Sequence, residues 1–294
     1  MLDMMIRRKG ELCALAALLA SFVVLYRHVL AKLVADWSQN ENYSHGFLIV
    51  PIAAWFAWER RGRLAAAPVR PNALGAIVVA GSLAVLLAGM LGAELFLTRI
   101  SMIGVLAGGV LFLLGFEQLR ILAFPILFLL LMIPIPAIVF NQIAFPLQIF
   151  ASQAGAAGLS ALHIPVLREG NIIVLASTTL EVAEACSGIR SLVSLLTLGI
   201  VYGYFTDPRG GVRVVIALAT IPIAIAANAA RVAGTGVAAH FVGSAAADGF
   251  FHTFSGWLVF VAAFAMLLAF QQALAWIVPA PAPAQAPAEP AHAV

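Results

Sequence analysis

Long apolar stretches separated by short polar segments dominate the chain. Crossing the hydrocarbon core of a bilayer, roughly 30 Å thick, takes about 20 apolar residues in a helix. By this measure we predict about eight spans: residues 11–32, 46–58, 73–92, 99–115, 119–134, 188–205, 212–238 and 252–277. The second span contains Pro51 and the fifth contains Pro125, so we expect both to kink or tilt. The pattern predicts an all-α polytopic membrane protein.

The stretch from 136 to 187 departs from this pattern. Residues 138–162 mix apolar side chains with several Asn and Gln residues, which is typical of an amphipathic helix lying at a membrane face. Residues 171–184 are rich in β-branched side chains in near alternation and predict a short β-like cap. We therefore expect a membrane-embedded domain over 1–278, followed by a disordered Pro/Ala-rich tail over 279–294.

Composition and charge support a membrane protein and set its orientation. The chain is 63% hydrophobic and 10% charged, with a net charge of +3, so nucleic acid is not an expected partner. Basic clusters at 7–9, 60–70 and 209–213 lie in the segments that the spans place on one side, which the positive-inside rule assigns to the cytoplasm. The opposite, outer side receives residues 35–46, 136–187 and 244–251.

The two cysteines lie far apart in the sequence and make a disulfide framework or a four-thiolate metal site impossible, so we expect no metal and no cofactor. Cys186 lies at the outer start of a span, in the segment EVAEACSGIRSL. A helix amino terminus and Arg190, one turn further on, both favour the thiolate, which is the nucleophilic form. The alternative is that Cys186 is a small residue that packs between helices.

Arg231 is a charged residue deep in an apolar span. At a rise of 1.5 Å per residue, the 19 residues from Val212 place it roughly 28 Å along the helix, level with Cys186 at the outer side. Asn228 shares its helix face. An ionisable residue inside a membrane protein indicates a functional site, and the alternative is an arginine that snorkels from a helix end to the interface.

An imidazole at the outer side completes a set of groups suited to acyl transfer. His252 begins the last span, and a neutral imidazole near a thiol is able to take its proton and return it to a leaving amine. His45 and His240 also map to the outer side and compete for this role. One thiol, one guanidinium and one imidazole on one membrane face predict nucleophilic catalysis at sulfur.

Several motifs, in order along nearly the whole chain, resemble those of the exosortases, integral-membrane sorting enzymes of bacteria. They are YSHGFLIVP at 43–51, MIPIPAIVFNQIAFPLQ at 132–148, EACSGIRSL at 184–192, NAARVAGTG at 228–236 and GFFHTFSGW at 249–257. The resemblance implies that Cys186, Arg231 and His252 are the catalytic residues, which selects His252 over the other histidines. Asn228, Arg190 and Glu184 are the supporting residues.

The resemblance also implies a substrate and a reaction. The substrates would be exported proteins with a carboxy-terminal sorting signal, made of a Pro-Glu-Pro motif, one membrane span and a basic cluster. The enzyme would cleave near that motif through a Cys186 thioester and pass the protein to an unknown envelope acceptor. We expect a multi-pass protein of the bacterial inner membrane, embedded in lipid, with its active site facing the periplasm.

A polytopic transporter or assembly component for exopolysaccharide is the main alternative. Such a protein would line a cavity with Arg231, His252 and Glu184. The sequence shows no repeated half of the kind that many transporters have, and its polar residues gather at one face instead of at mid-membrane. A purely structural scaffold explains the small-residue helices but leaves Arg231 unexplained.

Overall fold

The computed structural model describes the backbone of residues 2–176, 178–182, 188–243 and 250–279, without the side chains of 2–12, 15 and 250–253. Within these residues the chain forms two compact units, Met1–Phe140 and Asn141–Val294. The predicted nucleophile Cys186, its neighbour Glu184 and nearly all of the predicted tail lie outside the described residues.

Helices make up the first unit. They are α1 (Leu2–Gln39), α2 (Gly46–Glu59), α3 (Arg61–Ala66), α4 (Leu74–Leu91), α5 (Leu95–Leu114), α6 (Phe116–Phe128) and a 3-10 helix (Leu129–Met132). Helix α7 (Ala137–Ala161) begins at the end of this unit and continues into the second.

The second unit combines long helices with a small sheet. Its elements after α7 are β1 (Val166–Glu169), β2 (Ile172–Leu175), β3 (Thr179–Glu181), α8 (Ile189–Thr206), α9 (Gly210–Val242) and α10 (Phe250–Ile277). The strands are antiparallel in the order β1-β2-β3, with Leu167 opposite Val174 and Ile173 opposite Leu180. The predicted α-helical class with a short β cap is confirmed, although β1 begins before the segment in which the cap was predicted.

The predicted count of eight spans is not confirmed. Six described helices are long and apolar enough to cross a membrane, or seven if the broken pair Phe116–Met132 and Ala137–Ala161 is one span. The predicted second span corresponds to α2, whose 14 residues give a helix of roughly 21 Å, shorter than the hydrocarbon core. The predicted fifth span corresponds to α6, which continues past Pro125 to Phe128, and to the 3-10 helix that follows it.

Small residues bring α4 and α5 of the first unit into close contact. A Cβ atom added to Gly89 would lie 2.8 Å from Thr98 Cγ2, and one added to Gly108 would lie 2.9 Å from the Val79 nitrogen. Either addition would force the two helices apart. Membrane helices associate through van der Waals contact, because the surrounding lipid is as apolar as their own side chains.

The turn that follows α6 leaves backbone carbonyls short of donors. In a helix, a carbonyl accepts from the N–H three or four residues ahead. Pro134 lies three residues after Leu131, and Pro136 lies four residues after Met132. Because proline has no N–H, each of these carbonyls loses one of its two possible backbone partners.

Side chains from the end of α1 and from the segment that joins α1 to α2 supply the missing donors. Trp37 Nε1 donates to the Met132 carbonyl at 2.9 Å, and His45 Nε2 lies 3.2 Å from the Leu131 carbonyl. Burial lowers the pKa of His45, against the smaller opposing effect of that carbonyl. The imidazole is therefore held neutral and serves as a structural donor in the first unit.

In the second unit, the sheet covers one side of α7 and α9. Leu159, Ile173 and Val232, from α7, β2 and α9, belong to one buried apolar cluster. Ser152 Oγ donates to the Gly170 carbonyl at 2.8 Å and so ties α7 to the β1–β2 turn. The opposite face of α7 exposes apolar side chains such as Phe150, as expected of an amphipathic helix that contacts lipid.

An ion pair fixes the turn between α8 and α9. Asp207 accepts from Arg209 Nη2 at 2.6 Å, and the Asp207 carbonyl accepts from Arg213 Nε at 2.6 Å. Arg209 Nη2 also donates to the Val278 carbonyl at 3.0 Å, at the end of α10. The hydrogen bonds from Arg209 lower the pKa of Asp207 to about 2.

This ion pair predicts an acid-sensitive stability. Because the pKa of Asp207 is lowered in the folded protein, its stabilising effect is complete above about pH 4, the ordinary range for an aspartate, and is lost as the pH falls through about 2. We expect Asp207→Asn to lower the thermal unfolding midpoint in detergent near neutral pH and to flatten its decline between those values. Glu117→Gln, which changes an exposed carboxylate on α6, is the control. Equal pH profiles for wild type and Asp207→Asn would contradict the assignment.

Candidate functional site

The predicted site residues that the structure describes lie on three helices of the second unit. Arg231 and Asn228 lie on the carboxy-terminal half of α9, and Arg190 is half-buried in the first turn of α8. His252 lies in the first turn of α10, where only its backbone is described. Cys186 precedes the described start of α8 and is not part of the description.

The start of α8 packs directly against Asn228. Gly188 precedes the first residue of α8 and has φ +82°, a left-handed conformation that favours glycine. A Cβ added there would lie 2.8 Å from Asn228 Cγ and 2.9 Å from Asn228 Cβ. Asn228 itself is only 3% exposed. Only glycine meets both requirements, so the backbone two residues after Cys186 lies close to the helix that carries Arg231.

The guanidinium of Arg231 lies against α10 at Gly256. A Cβ added to Gly256 would lie 3.7 Å from Arg231 Cζ and Nη2 and 3.8 Å from Nη1. Nearly equal distances to three atoms of a planar group mean that the group faces this position. Residue 252 lies one turn before Gly256, and positions four apart share a helix face. The helix turn that carries His252 therefore adjoins the turn that contacts the guanidinium.

The buried cluster under the sheet sets the rotation of α9. Val232 is buried against residues of α7 and β2. Successive residues of an α-helix point about 100° apart, so Arg231 projects to one side of this cluster, where its guanidinium lies beside Gly256 of α10. The sheet thus acts on the site indirectly, by fixing the direction in which Arg231 points.

Arg231 also lines a cavity of about 540 Å³ between α9 and α10, which we call the α9–α10 groove. Among the described lining residues, Arg231 carries the charge, and Thr235 and Ser255 contribute hydroxyl groups. The groove is lined by Ala226, Ala227, Ala230, Arg231, Gly234, Thr235, Ala238, Phe254, Ser255, Leu258, Val259, Ala262 and Met266.

The competing histidines have other surroundings. His45 belongs to the first unit, where its ring lies at the Leu131 carbonyl. His240 lies in the last turn of α9, nine residues and about 13 Å of helix beyond Arg231. Its ring packs edge-on against Phe241, with centroids 4.9 Å apart.

Four residues of this region were not predicted from the sequence as part of the site: Gly188, Gly256, Thr235 and Ser255. Each lies inside a motif that carried the resemblance or directly beside a predicted residue, so position in the sequence was the available signal. Gly188 follows Cys186 by two residues, and Gly256 follows His252 by four. What the sequence did not show is that these glycines are the points at which the helices touch.

The fold and the groove define a polytopic helical membrane protein with polar groups gathered where α8, α9 and α10 meet. Residues 37–269 match the family model described as transmembrane exosortase, which covers well over half of the chain. The chain therefore belongs to the transmembrane exosortases, a family of membrane cysteine peptidases and transpeptidases that act in protein sorting. Searches of curated proteins and of solved structures returned no match.

The contact between Gly188 and Asn228 is testable by a matched pair of glycine substitutions. Gly170 also has positive φ, of 64°, but a Cβ added there meets nothing within 4 Å. We expect Gly170→Ala to cost about 1–2 kcal/mol of folding free energy, from the left-handed backbone alone. Gly188→Ala should cost more, because its Cβ also collides with Asn228.

Thermal unfolding in detergent measures both losses, and the double variant Gly188→Ala/Asn228→Ala should recover part of the Gly188→Ala loss. Equal losses at the two glycines would show that the start of α8 does not pack on Asn228.

Proposed function

We propose that this protein is a cysteine protease and transpeptidase that cleaves the carboxy-terminal Pro-Glu-Pro sorting signal of exported proteins through a Cys186 thioester. The observation that carries the proposal is the position of Arg231 and its neighbour Asn228 between two helix starts. The start of α8, just after Cys186, packs on Asn228, and the first turns of α10, which include residue 252, adjoin the guanidinium.

Chain connectivity supports this grouping. Two peptide units separate Cys186 from Gly188 and span at most about 7 Å. One turn of α10, about 6 Å of rise, separates His252 from Gly256. Both proposed catalytic residues are therefore tethered within about one helical turn of a contact on the α9 segment from Asn228 to Arg231.

In the proposed first step, the Cys186 thiolate attacks the carbonyl carbon of the scissile bond. The carbonyl π electrons move to oxygen, and the Arg231 guanidinium donates hydrogen bonds to the resulting oxyanion. His252, protonated when it accepts the thiol proton, gives that proton to the leaving amine. The C–N bond breaks, the carboxy-terminal part of the signal departs, and the carbonyl carbon remains bound to sulfur as a thioester.

In the second step, a nucleophile replaces the sulfur. An acceptor amine, or water, attacks the thioester carbonyl while His252 removes its proton, and the proton then passes to the departing thiolate of Cys186. Atoms and charge balance without an added oxidant, metal or cofactor. We propose that an envelope amine is the acceptor and that the site faces the periplasm of the bacterial inner membrane, because the basic connecting segments favour the cytoplasm.

The nucleophile is tested with a reporter that carries a Pro-Glu-Pro motif, a membrane span and a basic cluster. We expect wild type to cleave it and Cys186→Ala to leave it intact, since the substitution removes the attacking sulfur. Cys13→Ser is the matched control, because Cys13 is the other, exposed cysteine on α1, and it should cleave at the wild-type rate. The readout is the fraction of shortened reporter on gels. An intact reporter with wild type would contradict protease activity, and cleavage by Cys186→Ala would place the nucleophile elsewhere.

The role of Arg231 is tested by Arg231→Lys in the same assay. An ammonium group keeps the charge but not the planar fork of donors, so we expect kcat to fall by about 10²–10³-fold, as for loss of an oxyanion donor. Arg120→Lys, at an exposed position on α6, is the control and should be unchanged. A wild-type kcat for Arg231→Lys would show that the guanidinium does not stabilise the transition state.

A further inference from the structure

The α9–α10 groove is long and open to the surroundings of the helices. On α9 it runs from Ala226 to Ala238, about 18 Å of helix. Several of its walls are exposed, including Leu258 at 52% and Met266 at 45%. In a membrane these exposed apolar side chains face lipid, so the groove opens sideways into the bilayer.

The two halves of the groove differ in polarity. The half nearer the start of α10 contains Arg231, Thr235 and Ser255, whereas the other half is entirely apolar among the described lining residues. An occupant that suits both halves has a polar segment followed by an apolar one. A guanidinium offers five N–H donors, so the polar segment should present carbonyl or carboxylate oxygens to it.

The shape of the groove suits a helix as the apolar segment. Along α9, Ala226, Ala230 and Gly234 follow one another at intervals of four residues, and all three are exposed. Positions four apart lie on one face, so this wall carries nothing larger than a methyl group. A second helix can therefore bring its backbone close to α9 and gain van der Waals contact along the whole wall.

We propose that the α9–α10 groove binds the membrane-spanning helix of the sorting signal, which enters sideways from the lipid. The extended segment that precedes this helix then lies along Arg231, Thr235 and Ser255, with its backbone carbonyls and the glutamate of its motif turned to the guanidinium. Seating the span in the groove brings the scissile bond to the level of Arg231. This inference rests on the proposed function for the identity of the occupant, and the choice of groove rests on its polarity and shape.

Photo-crosslinking in the intact membrane protein tests the occupant without requiring catalysis. Benzoylphenylalanine is placed at position 262, in the apolar half of the groove, or at position 265, an exposed alanine of α10 outside it. Both variants carry Cys186→Ala and are expressed with the full reporter. We expect at least about tenfold more reporter adduct from 262 than from 265, equivalent to 1.4 kcal/mol of preference.

A kinetic comparison in the active enzyme complements the crosslinks. Ala262→Leu fills the groove and should raise KM for the membrane-anchored reporter by about tenfold with a smaller effect on kcat. Ala265→Leu adds the same side chain at a neighbouring lipid-facing position and should leave both constants unchanged. Equal effects of the two substitutions would overturn the inference.

The crosslinking outcomes separate this inference from the proposed reaction. Reporter adducts from 262 together with an intact reporter in the wild-type assay would support the groove and contradict the protease function. Equal adducts from the two positions would overturn the groove, even if wild type cleaves the reporter. Adducts with phospholipid and none with reporter would assign the groove to a lipid and overturn the inference as well.

Discussion

A membrane offers no partner to a polar group, and this constraint governs both units of the protein. Each unsatisfied group in hydrocarbon costs several kcal/mol. Arg99, only 3% exposed, is accordingly paired with Asp36 in the first unit. The carbonyls that prolines deprive of donors at the end of the 3-10 helix lie against Trp37 and His45. At the α8–α9 turn, Arg209 donates hydrogen bonds to Asp207 and to the Val278 carbonyl at the end of α10.

The same constraint explains the construction of the candidate site. A cation is carried on α9 where the facing residue of α10 is a glycine, so the guanidinium lies flat against a helix surface. A second glycine, Gly188, lets the start of α8 pack against Asn228, one turn before Arg231 on α9. The contact at Gly188 depends on the absence of a side chain, whereas a Cβ at Gly256 would lie at ordinary van der Waals distance from the guanidinium. The proposed reaction would use this arrangement, with the guanidinium as a donor to the oxyanion.

The open groove suits the kind of substrate that membership of the transmembrane exosortases implies. The family implies membrane-associated substrates with sorting signals, and the proposed function makes the substrate a chain that is itself embedded in the bilayer. A closed pocket would require the substrate to leave the membrane, whereas a groove that opens sideways lets a helix move in within the lipid. The wall of small residues on α9 and the single charge beside it fit this mode of entry.

The sequence by itself determined the helical membrane class, the family and the positions of Cys186, Arg231 and His252 as candidates. The length of an apolar segment and the residues of a motif depend only on neighbouring positions in the chain, so both can be recognised without knowing which helices contact each other. It did not determine the number of spans: α2 and α6 are apolar but short, and whether such helices cross depends on their neighbours. Nor did it show the strand β1, whose side chains alternate only weakly between half-buried and exposed.

Only the tertiary structure decided which helix faces meet, at Gly188 with Asn228 and at Gly256 with Arg231. Such contacts depend on how each helix is rotated and how closely it approaches its neighbour, and both are set by packing between segments distant in the chain.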